Sequence, residues 1–362
     1  MEGDLIRIND WLLPLSWLYG LGTGLRNKLF DWGILKSKQF NIPVISVGNI
    51  TVGGTGKTPF VEYLVRLLKP EIRVAVLSRG YKRKSRGFVL AEKNTPMREI
   101  GDEPFQMKSK YPDIVVAVDK DRCRGVDVVR DCEDDVGVVI LDDAYQHRYI
   151  RPGVNILLVD YHRLIVYDKL LPAGRLRESK EGKQRADIVV VTKCPPDLKP
   201  MSFRVIKKVM DLYPYQDLYF TTLKYGRLRR MFGGKEKPLE QLSKDMNVLL
   251  LTGIASPKQM MQDLTAYTDH ITPLTFGDHH QFTPSDADRI NRMFASLPKP
   301  RMIITTEKDE CRLKCTEGLN DEVKQNLYVL PIEVKFMLNQ ENEFNDKIIS
   351  YVRKNKRNSS LD

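Results

Sequence analysis

The residues Thr51-Val-Gly-Gly-Thr-Gly-Lys-Thr58 have the types and spacing to hold a phosphate chain. Such a chain needs backbone amides that can close around it, a helix amino end with partial positive charge, and one mobile cation. Gly53, Gly54 and Gly56 allow the tight backbone, with Thr55 among them; Lys57 can reach the β- and γ-phosphates, and Thr58 can hold Mg²⁺. One position departs from the P-loop pattern, which begins with Gly where this chain has Thr51. The second signal is Val138-Val-Ile-Leu-Asp-Asp143, an apolar run that delivers two carboxylates to its end. A buried strand ending this way is where a nucleotide site keeps its metal ligand. Asp142 is the expected Mg²⁺ ligand, with Asp143 beside it. Together the two signals imply Mg-ATP or Mg-GTP. Val52 stands where a partitioning-type P-loop ATPase has its signature lysine, and Thr192-Lys-Cys-Pro195 lacks the base-reading Asp of a GTPase. ATP is preferred.

Short β-branched runs at 43–47, 74–78, 114–118, 136–141, 156–159 and 188–192 are apolar on both faces, as strands buried in a parallel sheet should be. Val61, Leu64, Val65 and Leu68 fall at helical spacing just after the glycine-rich segment. Strand and helix alternating in this way predict a doubly wound, mostly parallel α/β sheet carrying the P-loop. A composition shift follows at 213–217 and at the Gly/Lys/Pro-rich 233–238, with a β-prone stretch at 218–223 between them. Strands at 248–252, 271–276, 301–305 and 327–332, with a helix at 284–295, then predict a second, smaller α/β domain. The expected division is 1–40 for an amino-terminal segment, 41–215 for the nucleotide-binding domain, and 216–362 for the smaller domain with a linker hairpin.

The 362 residues suit about two domains of ordinary size. With 42% hydrophobic residues and no apolar run of the roughly 18 needed to span a bilayer, the composition excludes disorder, collagen and a polytopic membrane protein. Five scattered cysteines, Cys123, Cys132, Cys194, Cys311 and Cys315, make no disulfide framework and point to a reducing compartment. Cys311 and Cys315 could share a helical face, but the lack of a nearby second Cys/His pair argues against zinc. The net charge of +11 suits nucleic acid, anionic lipid or a phosphorylated substrate. Near the amino end, Trp11, Leu15, Leu18, Gly22, Leu25, Leu29 and Trp32 form an apolar helical stripe, with Pro14 in the first turn and Gly33 at the stop. Acidic Glu2, Asp4 and Asp10 do not fit a signal peptide. The stripe fits either an interfacial helix or one packed on the protein's own core. The five basic residues in 347–357 read as a solvated face or as a contact for an anionic surface.

Further motifs narrow the reaction. They are Gly101-Asp-Glu-Pro104, Asp121-Arg122, Asp142-Asp-Ala-Tyr-Gln-His147, Leu171-Pro-Ala-Gly-Arg-Leu-Arg-Glu178, Asp278-His-His280 and Thr306-Glu-Lys-Asp309. With Pro14-Leu-Ser-Trp-Leu-Tyr-Gly20, their combination and order resemble the tetraacyldisaccharide 4'-kinases, the lipid A 4'-kinases of Gram-negative envelopes. The resemblance covers most of the chain. It implies transfer of the ATP γ-phosphoryl to the 4'-hydroxyl of a tetraacylated disaccharide 1-phosphate, giving lipid IVA at the cytoplasmic face of the inner membrane. Thr51 then becomes the family's own variant and the amphipathic helix a membrane anchor. The resemblance also implies an Asp–His pair in catalysis, matched by Asp102 and by a histidine of Asp278-His-His280, either His279 or His280. His279 directly follows Asp278, as in the family motif. Phosphoryl transfer needs positioning, charge neutralisation and an acceptor for the hydroxyl proton, which a carboxylate beside an imidazole supplies. Glu103, Arg122, Gln146, Arg177 and Glu178 match family positions lining the nucleotide and phosphate site, Glu103 as a further metal ligand. Basic stretches at 79–86 and 224–237 suit an anionic bilayer or the substrate's 1-phosphate. His147, His162, His270 and His280 read as surface or core hydrogen-bonders. A membrane-peripheral P-loop switch is the rival reading. Nucleic-acid binding has only the net charge behind it, and no obligate protein partner is evident.

Overall fold

The computed structural model describes residues 8–234, 236–254 and 257–359; Glu2 and Asp4 lie outside them. The first unit is built on a nine-stranded sheet. Its strands are β1 (Val44–Gly48), β2 (Arg73–Ser78), β3 (Val89–Leu90), β4 (Val115–Val118), β5 (Val136–Asp142), β6 (Val154–Asp160), β7 (Ile188–Thr192) and β8 (Asp217–Tyr225), with a last strand contributed from near the chain's end. The order across the sheet is β4-β2-β5-β1-β6-β7-β8 with all six pairings parallel, and β3 pairs antiparallel on the β4 edge. Both faces of the sheet are covered. Ile45, Val76, Val138 and Ile140 point into one core with Phe60 and Leu64 of helix α1 (Lys57–Leu68). Their neighbours Val44, Leu77, Val139 and Leu141 point into another with Val126 and Val129. That two-faced burial is why the strands read as continuous apolar runs rather than alternating ones.

The second unit carries a six-stranded sheet. Its strands are β9 (Leu228–Arg230), β10 (Glu236–Lys237), β11 (Asn247–Thr252), β12 (His270–Thr275), β13 (Arg301–Thr306) and β14 (Leu327–Leu330). The central β12-β11-β13-β14 set is parallel, and the β9–β10 hairpin adds antiparallel strands beside β14. The compact units divide the chain as residues 1–223 with 334–362, against 224–333. This differs from the expected boundary at 215/216 in two ways. The stretch 218–223 lies in β8 of the large sheet, and the chain after β14 returns to that sheet as β15 (Ile332–Phe336). The single strand expected at 327–332 is therefore two, with Pro331 between them. Phe336, with Phe344, Ile348 and Val352 of the carboxyl-terminal helix, completes the core around Phe60, so the chain's end belongs with the P-loop unit.

The amino-terminal helix, Leu13–Asp31, is turned apolar side out. Ser16 and Phe30 are buried, whereas Trp11, Leu15, Trp17, Leu18, Leu21, Leu25 and Trp32 are exposed, Trp11 to 92%. Its inner face is polar. Ser16 Oγ donates to the Leu170 carbonyl at 3.0 Å and accepts from the Ala173 amide at 3.0 Å. A helix packed on its own core would show the reverse arrangement. Among the described residues, no helix is long and apolar enough to cross a membrane.

Candidate functional site

The glycine-rich segment leaves the carboxyl end of β1, the strand flanked by β5 and β6, where connections diverge to the two sides of the sheet. Open parallel sheets bind ligands at such a point. Gly53 and Gly56 have φ of +121° and +81°, values that favour glycine, and Gly56 caps the start of α1. Thr51 needs no glycine freedom. It bridges antiparallel to Leu176, while the Val52 amide donates to the Arg175 carbonyl at 2.8 Å and the Arg177 amide to the Ile50 carbonyl at 2.7 Å. The segment carrying Arg177 is thereby laced to the loop's first residues. Thr55 is buried; its Oγ1 accepts from Asn49 Nδ2 at 2.9 Å and its carbonyl from Thr192 Oγ1 at 2.8 Å. The Gly54 carbonyl accepts from Lys193 Nζ. Asn49 and Lys193 support the loop, a role that Thr192-Lys-Cys-Pro195 does not announce in the sequence.

Around this loop the first unit gathers most of the expected residues. Lys57 Nζ lies 3.5 Å from Asp143, whose other cation is Arg177 at 3.4 Å. Thr58 Oγ1 donates to Glu103 at 3.4 Å. Asp142 ends β5, buried, with Oδ1 making no hydrogen bond. Arg122 is buried too, but it donates to the main-chain carbonyl of Asp142 at 3.5 Å and of Asp119 at 3.2 Å. Burial lowers its pKa to about 10, against the pull of Asp142 and Asp143. The two adjacent aspartates differ sharply. Burial, then Glu103 and Asp143, push the Asp142 carboxyl up to about 7. Burial raises Asp143 as well, but Lys57 and Arg177 outweigh it and hold that carboxyl below the usual range.

A second layer holds these groups. Gln146 Nε2 donates to the Asn49 carbonyl at 2.5 Å and to Glu178 at 3.3 Å, while its Oε1 accepts from Arg177 at 3.3 Å. Glu178 is clamped by both oxygens to Arg185 at 2.9 and 2.8 Å. The amino-terminal helix joins the same set. Tyr19 donates to the Arg177 carbonyl at 2.7 Å, Arg26 to the Gln146 carbonyl at 3.2 Å and Asn27 to Glu178 at 3.2 Å. Asp102 opens the helix Asp102–Lys110, where a carboxylate is favoured by the helix dipole. Before it, Gly101 has φ +91°, and a Cβ there would meet the Tyr81 carbonyl at 2.8 Å. His147 is no simple hydrogen-bonder: its Nε2 is buried without a partner, and burial with Arg122 nearby lowers its pKa to about 4.

Asp278 and His279 are carried by the second unit, in the loop after β12. His279 sits at φ +59° with Nε2 3.8 Å from Asp278. His280 has structural partners, since its Nε2 lies 2.9 Å from Asp286 and its ring stacks on Phe276 at 4.8 Å.

A doubly wound sheet with a glycine loop feeding a helix, and acids at the end of the adjacent strand, defines the P-loop class. Comparison with known proteins narrows it. The family described as LpxK, tetraacyldisaccharide-1-P 4'-kinase, matches residues 8–353. A tetraacyldisaccharide 4'-kinase of Phocaeicola vulgatus is 59% identical, covering 100% of both chains. One from Bacteroides fragilis is 53% identical, covering 100% of this chain and 98% of its own. Among solved structures, the "apo" form of LpxK from Aquifex aeolicus in complex with ATP is 30% identical with a TM-score of 0.73, covering 94% of this chain and 98% of that one. The chain belongs to the tetraacyldisaccharide-1-P 4'-kinase family.

The state of Asp142 makes a prediction for the nucleotide-free protein. A carboxyl raised to about 7 from its ordinary 3.8 weakens the fold progressively as pH rises between those values. Asp142→Asn should therefore be more stable than the parent at pH 8. The gap should be narrower at pH 5. Denaturant melts at the two pH values check this; equal stabilities at pH 8 would refute it.

Proposed function

We propose that the chain transfers the γ-phosphoryl group of ATP to the 4'-hydroxyl of a tetraacylated disaccharide 1-phosphate, giving lipid IVA at the cytoplasmic face of the inner membrane. Family membership supports the reaction. The observation on this chain that carries it is the meeting of Lys57, Thr58, Glu103, Asp142 and Asp143 beside the glycine loop. Amides of 53–56 and the α1 amino end receive the phosphates, and Lys57 follows the γ-phosphoryl as charge develops. A divalent cation fits this donor set. Asp142 offers a buried oxygen lacking a hydrogen bond, in a carboxylate cluster whose mutual repulsion a cation would relieve. Thr58 and Asp142 would hold Mg²⁺, with Glu103 and Asp143 close by, and the ion would supply neutralisation of phosphate charge. Asp102 accepts the proton of the 4'-hydroxyl with His279 as its partner; Arg122, Gln146, Arg177 and Glu178 shape the nucleotide and phosphate site.

The apolar side of the amino-terminal helix supports a monotopic membrane contact. Its exposed Trp and Leu side chains are the kind that settle at a headgroup boundary. With Trp11, Leu18 and Leu25 all changed to Glu, co-sedimentation with anionic vesicles should fall several-fold; unchanged sedimentation would remove the anchor. Mass spectrometry of the products from Mg-ATP and the tetraacyl disaccharide 1-phosphate tests the activity itself. A phosphate added at the 4' position is expected, with Asp102→Ala slowing the reaction on the order of 10²–10⁴-fold. ATP hydrolysis without a phosphorylated lipid would favour the switch reading instead.

A further inference from the structure

The carboxyl edge of the small sheet contains an ion pair with no solvent around it. Asp309 and Arg312 are 2.7 Å apart, and their side chains are 0% and 1% exposed. Both lie on the helix Glu307–Lys314 that follows β13, whose first turn carries the Thr306-Glu-Lys-Asp309 motif. Asp309 accepts from Thr306 Oγ1 at 2.7 Å and from the Gly253 amide at 3.0 Å. Arg312 donates to the Gly253 carbonyl at 3.3 Å and to the His280 carbonyl at 3.3 Å. Gly253 directly follows β11 and His280 lies in the loop after β12. One guanidinium therefore ties three successive strand ends together, and one of its bonds falls on the carbonyl of the residue after His279.

The destinations of these bonds distinguish this pair from an ordinary buried salt bridge. Replacing such a pair by apolar packing often costs little, so stability alone is a weak reason to keep one. Here both groups hold main-chain atoms of loops, and the loop they hold has His279 in the left-handed region at φ +59°. Histidine visits that region more readily than most non-glycine residues, and the bonds on both sides of the loop hold it there. The other side of the loop is pinned by His280 on Asp286 and Phe276. Gly253 is fitted to the same brace, because a Cβ there would stand 2.8 Å from Asp309 Oδ1.

We infer that Asp309 and Arg312 are positioning residues for phosphoryl transfer, fixing the imidazole of His279 through the His280 peptide. This deepens the proposed function and rests on the role given there to His279. Arg312→Lys keeps the charge beside Asp309 but loses the planar fork that spans both carbonyls. Its kcat should fall about tenfold while the KM for Mg-ATP changes less than twofold, since the nucleotide groups are carried by the other unit. The decisive measurement is a double-mutant cycle with the lipid acceptor. If Arg312 acts through His279, the double variant Arg312→Lys/His279→Ala turns over no more slowly than His279→Ala alone. Multiplied losses in the double variant would overturn the inference while leaving His279 its role. Parental turnover by His279→Ala would remove that role and the inference with it. Gly253→Ala, whose added methyl would press on Asp309 Oδ1, should give the same kcat-against-KM split, and decides the matter should Arg312→Lys fold poorly.

Discussion

Two adjacent carboxylates with unequal neutralisation set the character of the P-loop site. Lys57 and Arg177 both reach Asp143, while the guanidinium of Arg122 goes to main-chain carbonyls, including that of Asp142. Asp142 is left buried beside Glu103 and Asp143, and its carboxyl rises as Asp143's falls. Opposite to them stands a loop of amides built to receive anions. The two halves of the site thus carry complementary deficits, one short of positive charge and the other of negative. The proposed ATP and divalent cation would answer both.

The same residues connect that chemistry to the surface of the unit. Gln146, Arg177 and Glu178 receive hydrogen bonds from Tyr19, Arg26 and Asn27 on the polar side of the amino-terminal helix. The side of that helix turned to solvent is apolar. Its orientation is set by polar contacts within the protein, leaving Trp11, Leu18 and Leu25 for whatever surface they meet. The helix thus presents polar groups to the residues around the loop and apolar ones to solvent.

Much of this was legible in the sequence because burial on both faces of a sheet leaves continuous apolar runs, and Val138–Leu141 and Ile188–Thr192 have no other use. The P-loop, Asp142 and Asp143 were legible because phosphate binding allows few residue types at those spacings. What was not legible depended on pairing between distant segments. Thr51 does without glycine freedom because Leu176 lies beside it in an extended bridge. The direction of the apolar stripe could not be read from periodicity, which fixes a face but not what that face meets. Pro331 separates two strands belonging to different sheets, a division that an unbroken apolar stretch conceals. Thr306-Glu-Lys-Asp309 stands out as a motif, yet the partners of its Asp309 are Arg312, three residues further on, and Gly253, just past another strand.

The central claim is that Asp142, with a buried oxygen that makes no hydrogen bond, would help hold a divalent cation beside the nucleotide. Anomalous diffraction from crystals grown with ATP and Mn²⁺ in place of Mg²⁺ tests it most directly. A single strong peak within bonding distance of Asp142 and Thr58, adjoining the phosphates, is the predicted result. A peak remote from Asp142, or nucleotide bound with its phosphates turned away from Lys57, would contradict the account.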